Sequence, residues 1–125
     1  MKKKSKKIDI KYLGIPNICF SLTDKDDKRE RKYSKQRMER GFDDSETWSL
    51  YNSISKFTLP RLMEFKKLKC GYPACFNKPK EWDIILDKMI KAFELINKDD
   101  SDTIDDKLVD EGLKLFAKWF FALWW

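Results

Sequence analysis

The chain has no histidine, the side chain that most often acts as general acid or base near neutral pH. Four sets of residues remain that could do chemistry. Cys70 and Cys75 flank Gly71-Tyr72-Pro73-Ala74 in a C-x4-C spacing. Two thiolates are half of a structural zinc site, and only Cys19 and carboxylates are left to complete the four ligands, so free thiols are expected instead of a metal. Asp43, Asp44 and Glu46 could hold a divalent ion. The Asp43/Glu46 spacing is also that of a capping box, which explains these acids more simply. Lys56, Arg61, Lys66 and Lys67, followed by Lys69, form a basic row. It reads either as a small-anion or nucleotide site, with Arg61 suited to bidentate phosphate contact, or as an ordinary solvated face. Finally, Trp119-Phe120-Phe121-Ala122-Leu123-Trp124-Trp125 is more apolar than one side of a small bundle requires. Trp119, Phe121, Trp124 and Trp125 are therefore candidates for a protein interface or a homo-oligomer contact. An interfacial membrane anchor would carry more lysines than Lys114 and Lys118 beside the tryptophans.

No Gly-rich phosphate loop, nucleophile elbow or zinc-protease motif is present. Glu64, Asp87 and Glu94 lack the Glu-x-x-His pair of a di-iron bundle. No catalytic residue, metal or cofactor is assigned on these grounds, and a non-enzymatic role is expected.

The elements that must position these groups follow from composition and period. A length of 125 residues suits one domain. Charged residues make up 38% and apolar ones 42%, while an aromatic share of 14% argues against general disorder. The net charge of +6 is uneven: residues 1–41 carry 14 lysines and arginines against 6 acids. Any nucleic-acid contact is thus expected from this leader. We read 1–41 as a basic polar arm and 42–125 as a helical domain. Within the arm, 1–7 is a mobile lysine cluster. Ile8 to Leu22 is extended, with Gly14 and Pro16 breaking any helix, and Thr23 to Arg40 is a solvated helix or a flexible linker.

Three helices are expected in the domain, as a small all-α bundle. The first starts at Asp43 or Asp44, carries Trp48, Tyr51, Ile54, Leu59, Leu62 and Phe65 inward, is kinked or broken at Pro60, and ends near Lys69. Phe42 and Trp48 anchor its start. The second follows Asn77-Lys78-Pro79, with Trp82, Ile85, Leu86, Met89, Ile90, Phe93 and Ile96 on one face. Lys98 to Asp102 is a polar loop. The third begins after an Asp102 or Thr103 cap and carries an apolar stripe of Leu108, Gly112, Leu115, Phe116, Trp119, Phe120, Leu123 and Trp124 that broadens until Trp119 to Trp125 is apolar all round. Gly112 costs about 1 kcal/mol relative to alanine inside a helix, which close approach of a neighbouring helix would offset. Asp9, Lys11 and Pro16 interrupt any secretory leader. The longest apolar run, Trp119 to Trp125, falls far short of the roughly 20 residues needed to span a bilayer. A reducing host cytoplasm is the expected location.

The order of motifs resembles a family of small uncharacterised helical proteins encoded by tailed bacteriophages and recovered from viral metagenomes. It runs through Arg40-Gly41-Phe42-Asp43-Asp44 with Trp48, the Leu59-Pro60 step, Gly71-Tyr72-Pro73, Trp82 with Ile85 to Ile90, Ala92-Phe93-Glu94, and Glu111 to Phe116. The resemblance implies a phage origin and a helical fold, and no reaction or cofactor. The expected function is an accessory protein that binds a host macromolecule or sequesters a small anionic ligand, in a counter-defence role. The alternatives are a nucleic-acid-associated protein using the basic arm, or a virion or assembly component.

Overall fold

The computed structural model describes residues 7–15, 18–98 and 106–124. The 1–6 lysines, Pro16, the 99–102 part of the expected loop, the expected caps Asp102 and Thr103, and Trp125 lie outside the described residues. Among the described residues the fold is all-helical, without strands. Its four α-helices are α1 (Glu30–Arg40), α2 (Leu50–Leu68), α3 (Pro79–Asn97) and α4 (Lys107–Lys118). Short 3-10 turns lie at Ile10–Tyr12, Asp44–Thr47 and Phe120–Ala122. The chain divides into two compact units, Met1–Ser53 and Ile54–Trp125, with the boundary inside α2. The expected division at 41/42 thus falls within the first unit, because the leader and the Asp43 turn are bonded to each other.

In the first unit, Thr23 to Arg40 resolves in favour of a helix over most of its second half. Asp27 braces the start of α1, accepting from the Arg29 N–H at 2.8 Å and from Arg29 Nε at 3.1 Å. Gly41 ends the helix in the left-handed region (φ 86°), its N–H donating to the Arg37 carbonyl at 2.9 Å. The capping box at Asp43 is real: Asp43 Oδ1 accepts from the Ser45 N–H at 2.8 Å and Glu46 Oε2 from the Asp43 N–H at 2.7 Å. It caps the 3-10 turn at Asp44–Thr47, and α2 starts separately at Leu50. Phe42 and Trp48 remain 42% and 49% exposed and do not anchor a core as expected. The Arg40 guanidinium stands 4.3 Å from the Phe42 ring, and Trp48 meets Tyr33 edge-on at 6.2 Å.

In the second unit, α3 supplies the centre. Trp82, Leu86, Met89, Ile90 and Phe93 are buried and join Leu62 of α2 in one cluster, flanked by Leu59, Phe65, Phe76, Leu115, Phe116 and Trp119. The period of α3 was sufficient to predict this face. Pro79 occupies the first turn of α3, with Lys78 as the flanking residue. The early part of the stripe predicted for α2 fails: Tyr51 and Ile54 are about half exposed, like Phe57. The expected break at Pro60 does not occur, since α2 is continuous from Leu50 to Leu68. Proline removes one N–H and crowds the preceding turn. There Arg61 Nη1 donates to the Phe57 carbonyl at 2.7 Å, adding a bond across the same turn.

Contacts run in opposite order along α2 and α3. Ser55 Oγ donates to the Phe93 carbonyl at 3.0 Å, Lys66 pairs with Asp87 at 2.6 Å, and Lys69 with Asp83 at 2.6 Å. Helices α3 and α4 are likewise antiparallel, with Trp82 against Trp119 and Lys88 paired to Glu111 at 2.8 Å. Asp106 caps α4, accepting from the Leu108 N–H at 2.8 Å. Leu108 is exposed and Val109 buried in its place, whereas Gly112, Leu115, Phe116, Trp119 and Leu123 lie on the expected face and Phe120 and Trp124 are exposed. Gly112 is buried where α3 and α4 touch, and a Cβ there would overlap the Ala92 methyl and the Lys88 carbonyl oxygen. The close approach expected at this glycine is therefore present.

Gly112→Ala should destabilise the protein by about 1–3 kcal/mol, because overpacking outweighs the better helix propensity of alanine. Gly112→Val should be worse. Urea unfolding followed by circular dichroism measures both. A Gly112→Ala variant as stable as the parent would show that the helices can separate at no cost.

Candidate functional site

Two clusters of functional groups emerge, one in each unit. The first is centred on Arg37, which is 1% exposed. Its guanidinium meets residues that sequence reasoning had scattered over an arm. Asp9 takes Nε at 3.0 Å and Nη2 at 2.7 Å, while Asp43 takes Nη1 at 2.5 Å. Ser21 Oγ accepts from Nη1 at 3.3 Å, and Glu30 Oε1 accepts from Nη2. All five N–H donors of the guanidinium are thereby used.

The surrounding carboxylates are also satisfied. Asp9 accepts from Ser34 Oγ at 2.7 Å, and Glu30 accepts from Thr23 Oγ1 at 2.7 Å and Tyr12 Oη at 2.8 Å. Burial alone would raise the Asp9, Glu30 and Asp43 carboxyls. Hydrogen bonds from Arg37 and the neighbouring hydroxyls outweigh it and hold all three below the usual range. Tyr12 is pushed up to about 12 by burial and by Glu30. The cluster has no open donor for a ligand, so its chemistry is structural. The signal was readable in hindsight: Glu30, Tyr33, Ser34 and Arg37 follow the i, i+3, i+4, i+7 spacing of one helical face.

Asp43, Asp44 and Glu46, weighed as a cation site and read as caps, are engaged in the same way. Asp43 faces Arg37. Asp44 pairs with Arg40 at 2.7 Å and exchanges two hydrogen bonds with the Gln36 amide. Glu46 accepts the Phe20 N–H at 2.8 Å and the Cys19 thiol at 3.7 Å. Burial pushes that thiol up to about 11, and the three cysteines are free.

The basic row on α2 does not converge. Lys66 and Lys69 turn to carboxylates on α3, and Arg61 folds back on its own helix with its guanidinium 3.7 Å from the Phe57 ring. Lys67 is exposed and Lys56 half-buried. At 3.6 residues per turn, Arg61 lies about 140° around the helix from Lys56. These residues were expected to act together because they are near in sequence, whereas helix rotation and the α3 acids separate them.

The second cluster is the aromatic end of the second unit. Trp119, expected at an interface, mostly serves the core. It stands 5.1 Å from Phe76 and 5.9 Å from Trp82, and its Nε1 is buried without a hydrogen-bond partner among the described residues. Phe121 and Trp124 do project outward, 92% and 76% exposed. Between them and the Cys70–Pro73 turn lies an open recess of about 610 Å³ with Trp82 and Ala122 in its lining. Tyr72, Pro73 and Cys70 were not expected there. The turn signal Gly71-Tyr72-Pro73 located a loop but could not say which helix end it would face. Among the described residues, no helix is long and apolar enough to cross a membrane. No protein family, curated protein or solved structure matches the chain.

Arg37→Met should cost about 3–5 kcal/mol at pH 7, since it strands three carboxylates around an apolar side chain. The parent should keep the cluster's contribution above the ordinary carboxylate range and lose it as pH falls through the lowered values. In the variant the crowded acids should instead hold protons more readily, so its deficit should narrow as pH drops from 7 towards about 4. Thermal unfolding across this range tests the sign; a deficit independent of pH would show that the charges are not what Arg37 compensates.

Proposed function

We propose that the chain is a non-enzymatic binding protein of phage origin that engages its partner through the aromatic end of the second unit. The observation that carries this reading is the open recess walled by Phe121, Trp124 and Tyr72. Its volume of about 610 Å³ is in the range that takes a drug-sized apolar group. Large aromatic side chains left in water cost solubility and repay it only when covered. The phage origin rests on the motif order from Arg40 to Phe116.

Other surfaces support a binding role less well. The α2 basic row is divided by its own ion pairs, and among the described residues of the leader three arginines are met internally. Arg37, Arg29 and Arg40 each face an acid within 3.0 Å. Both observations weigh against the small-anion and nucleic-acid readings. The acids of the Asp43 turn are engaged in capping and in the Arg37 cluster, which leaves no free carboxylate pair there for general acid–base work.

An anilinonaphthalene sulfonate probe should bind the folded protein saturably, and Phe121→Ala/Trp124→Ala should weaken it by about 2 kcal/mol, roughly 30-fold. Probe fluorescence titration measures this. Equal binding by parent and variant would place the binding surface elsewhere.

A further inference from the structure

We infer that the partner taken by this aromatic end is an anionic lipid surface, with Phe121 and Trp124 seated among the headgroups and a rim of lysines against the phosphates. The inference rests on the preceding reading that the aromatic end is the binding face. In sequence, the tail has only Lys114 and Lys118 nearby. The antiparallel order of α2, α3 and α4 changes that. It brings the last turn of α2, the first turn of α3 and the last turn of α4 to one end. Lys67 and Lys69 arrive with α2, Lys78 and Lys80 with α3, and Lys118 with α4, its Nζ 5.4 Å from the Trp119 ring. Over residues 67–83 and 118–124 these five lysines face two acids, Glu81 and Asp83. Lys69 is spent on Asp83 at 2.6 Å, which leaves the exposed Lys67, Lys78, Lys80 and Lys118 for the rim, and Glu81 accepts the Asn77 N–H at 2.9 Å.

The other end carries no such lysine excess among the described residues: Glu94, Asp106, Asp110 and Glu111 stand against Lys98 and Lys107, and Asp110 and Glu111 are paired with Lys114 and Lys88. A helix of this length separates the two ends by about 28 Å, well beyond a physiological Debye length of about 8 Å. The excess of lysine is therefore felt at one end of the unit, and an anionic surface attracts that end. The apolar groups at the basic end suit an interface. Phe121 and Trp124 project, Tyr72 lines their recess, and Leu68 at the end of α2 is half exposed. Aromatic rings with lysines at headgroup depth are the side chains that anchor peripheral proteins. A second copy fits poorly, because two such ends would meet with like charge. A single-stranded nucleic acid gains from stacking on rings but nothing from the aliphatic Leu68.

Sedimentation of the full chain with vesicles tests this. Vesicles of equal parts phosphatidylcholine and phosphatidylglycerol should carry the protein down and shift its tryptophan emission to the blue, and pure phosphatidylcholine should do neither. Added salt should weaken the binding. Phe121→Ala/Trp124→Ala should abolish the emission shift and lower vesicle affinity by about tenfold or more. Lys78→Glu/Lys80→Glu should lower affinity for the anionic vesicles while leaving helix content by circular dichroism unchanged. Equal binding to neutral vesicles, no vesicle binding, sedimentation undiminished in the aromatic variant, or a preference for a single-stranded oligonucleotide would each overturn the lipid assignment. The naphthalene probe separates the two readings. If it still binds and the aromatic variant loses it, only the lipid assignment falls. If probe binding is also independent of Phe121 and Trp124, the binding face falls with it.

Discussion

A single buried guanidinium organises the first unit. The described residues up to Ser53 bury one large apolar side chain, Tyr33, beside Arg37, Asp43, Ser45, Glu46 and Thr23. There is too little apolar surface for a conventional core, so polar groups must satisfy one another. Arg37 makes this possible because its five donors point in fixed directions and reach Asp9, Ser21, Glu30 and Asp43 at once. A lysine in its place would offer a point charge to three carboxylates and could not hold their geometry. Such clusters add less net stability than their Coulomb attraction suggests, because desolvation opposes it. What they fix is the arrangement: any register that leaves one carboxylate without Arg37 strands a buried charge.

The second unit solves the problem in the ordinary way. Trp82, Leu86, Met89 and Phe93 on α3 are covered by α2 and α4, and charge is confined to the helix flanks at Lys66–Asp87, Lys69–Asp83 and Lys88–Glu111. Gly112 lets α4 approach α3 at the level of Ala92. The Lys88–Glu111 ion pair sits at the same contact, since the Lys88 carbonyl faces Gly112 and Glu111 precedes that glycine. The two units therefore respond to different stresses, acid for the first and loss of packing for the second.

The same packing produces the aromatic end. α4 gives up its helix after Lys118, and the following 3-10 turn aims Phe121 away from the core while Trp119 stays in it. The resulting surface joins residues from three helix ends, and no window of the sequence contains it.

Periodicity alone gave α3 nearly residue for residue, because a helix packed on two sides must repeat its apolar groups at 3.6 residues. Residue type and spacing gave the Asp43/Glu46 capping box, a local device, and a glycine inside a helix marked the close approach of α3 at Gly112. Periodicity misread the leader as an arm, since a cluster held by charge leaves no hydrophobic period to detect. It also overread the α2 lysines, since adjacency in sequence says nothing about which carboxylates stand opposite. Pairing Asp9 with Arg37, turning Lys66 and Lys69 to the α3 acids, and bringing Tyr72 and Pro73 beside Phe121 and Trp124 were decided by tertiary structure. Each needs residues far apart in the chain to be brought together, and only the packing of the helices and turns sets those distances.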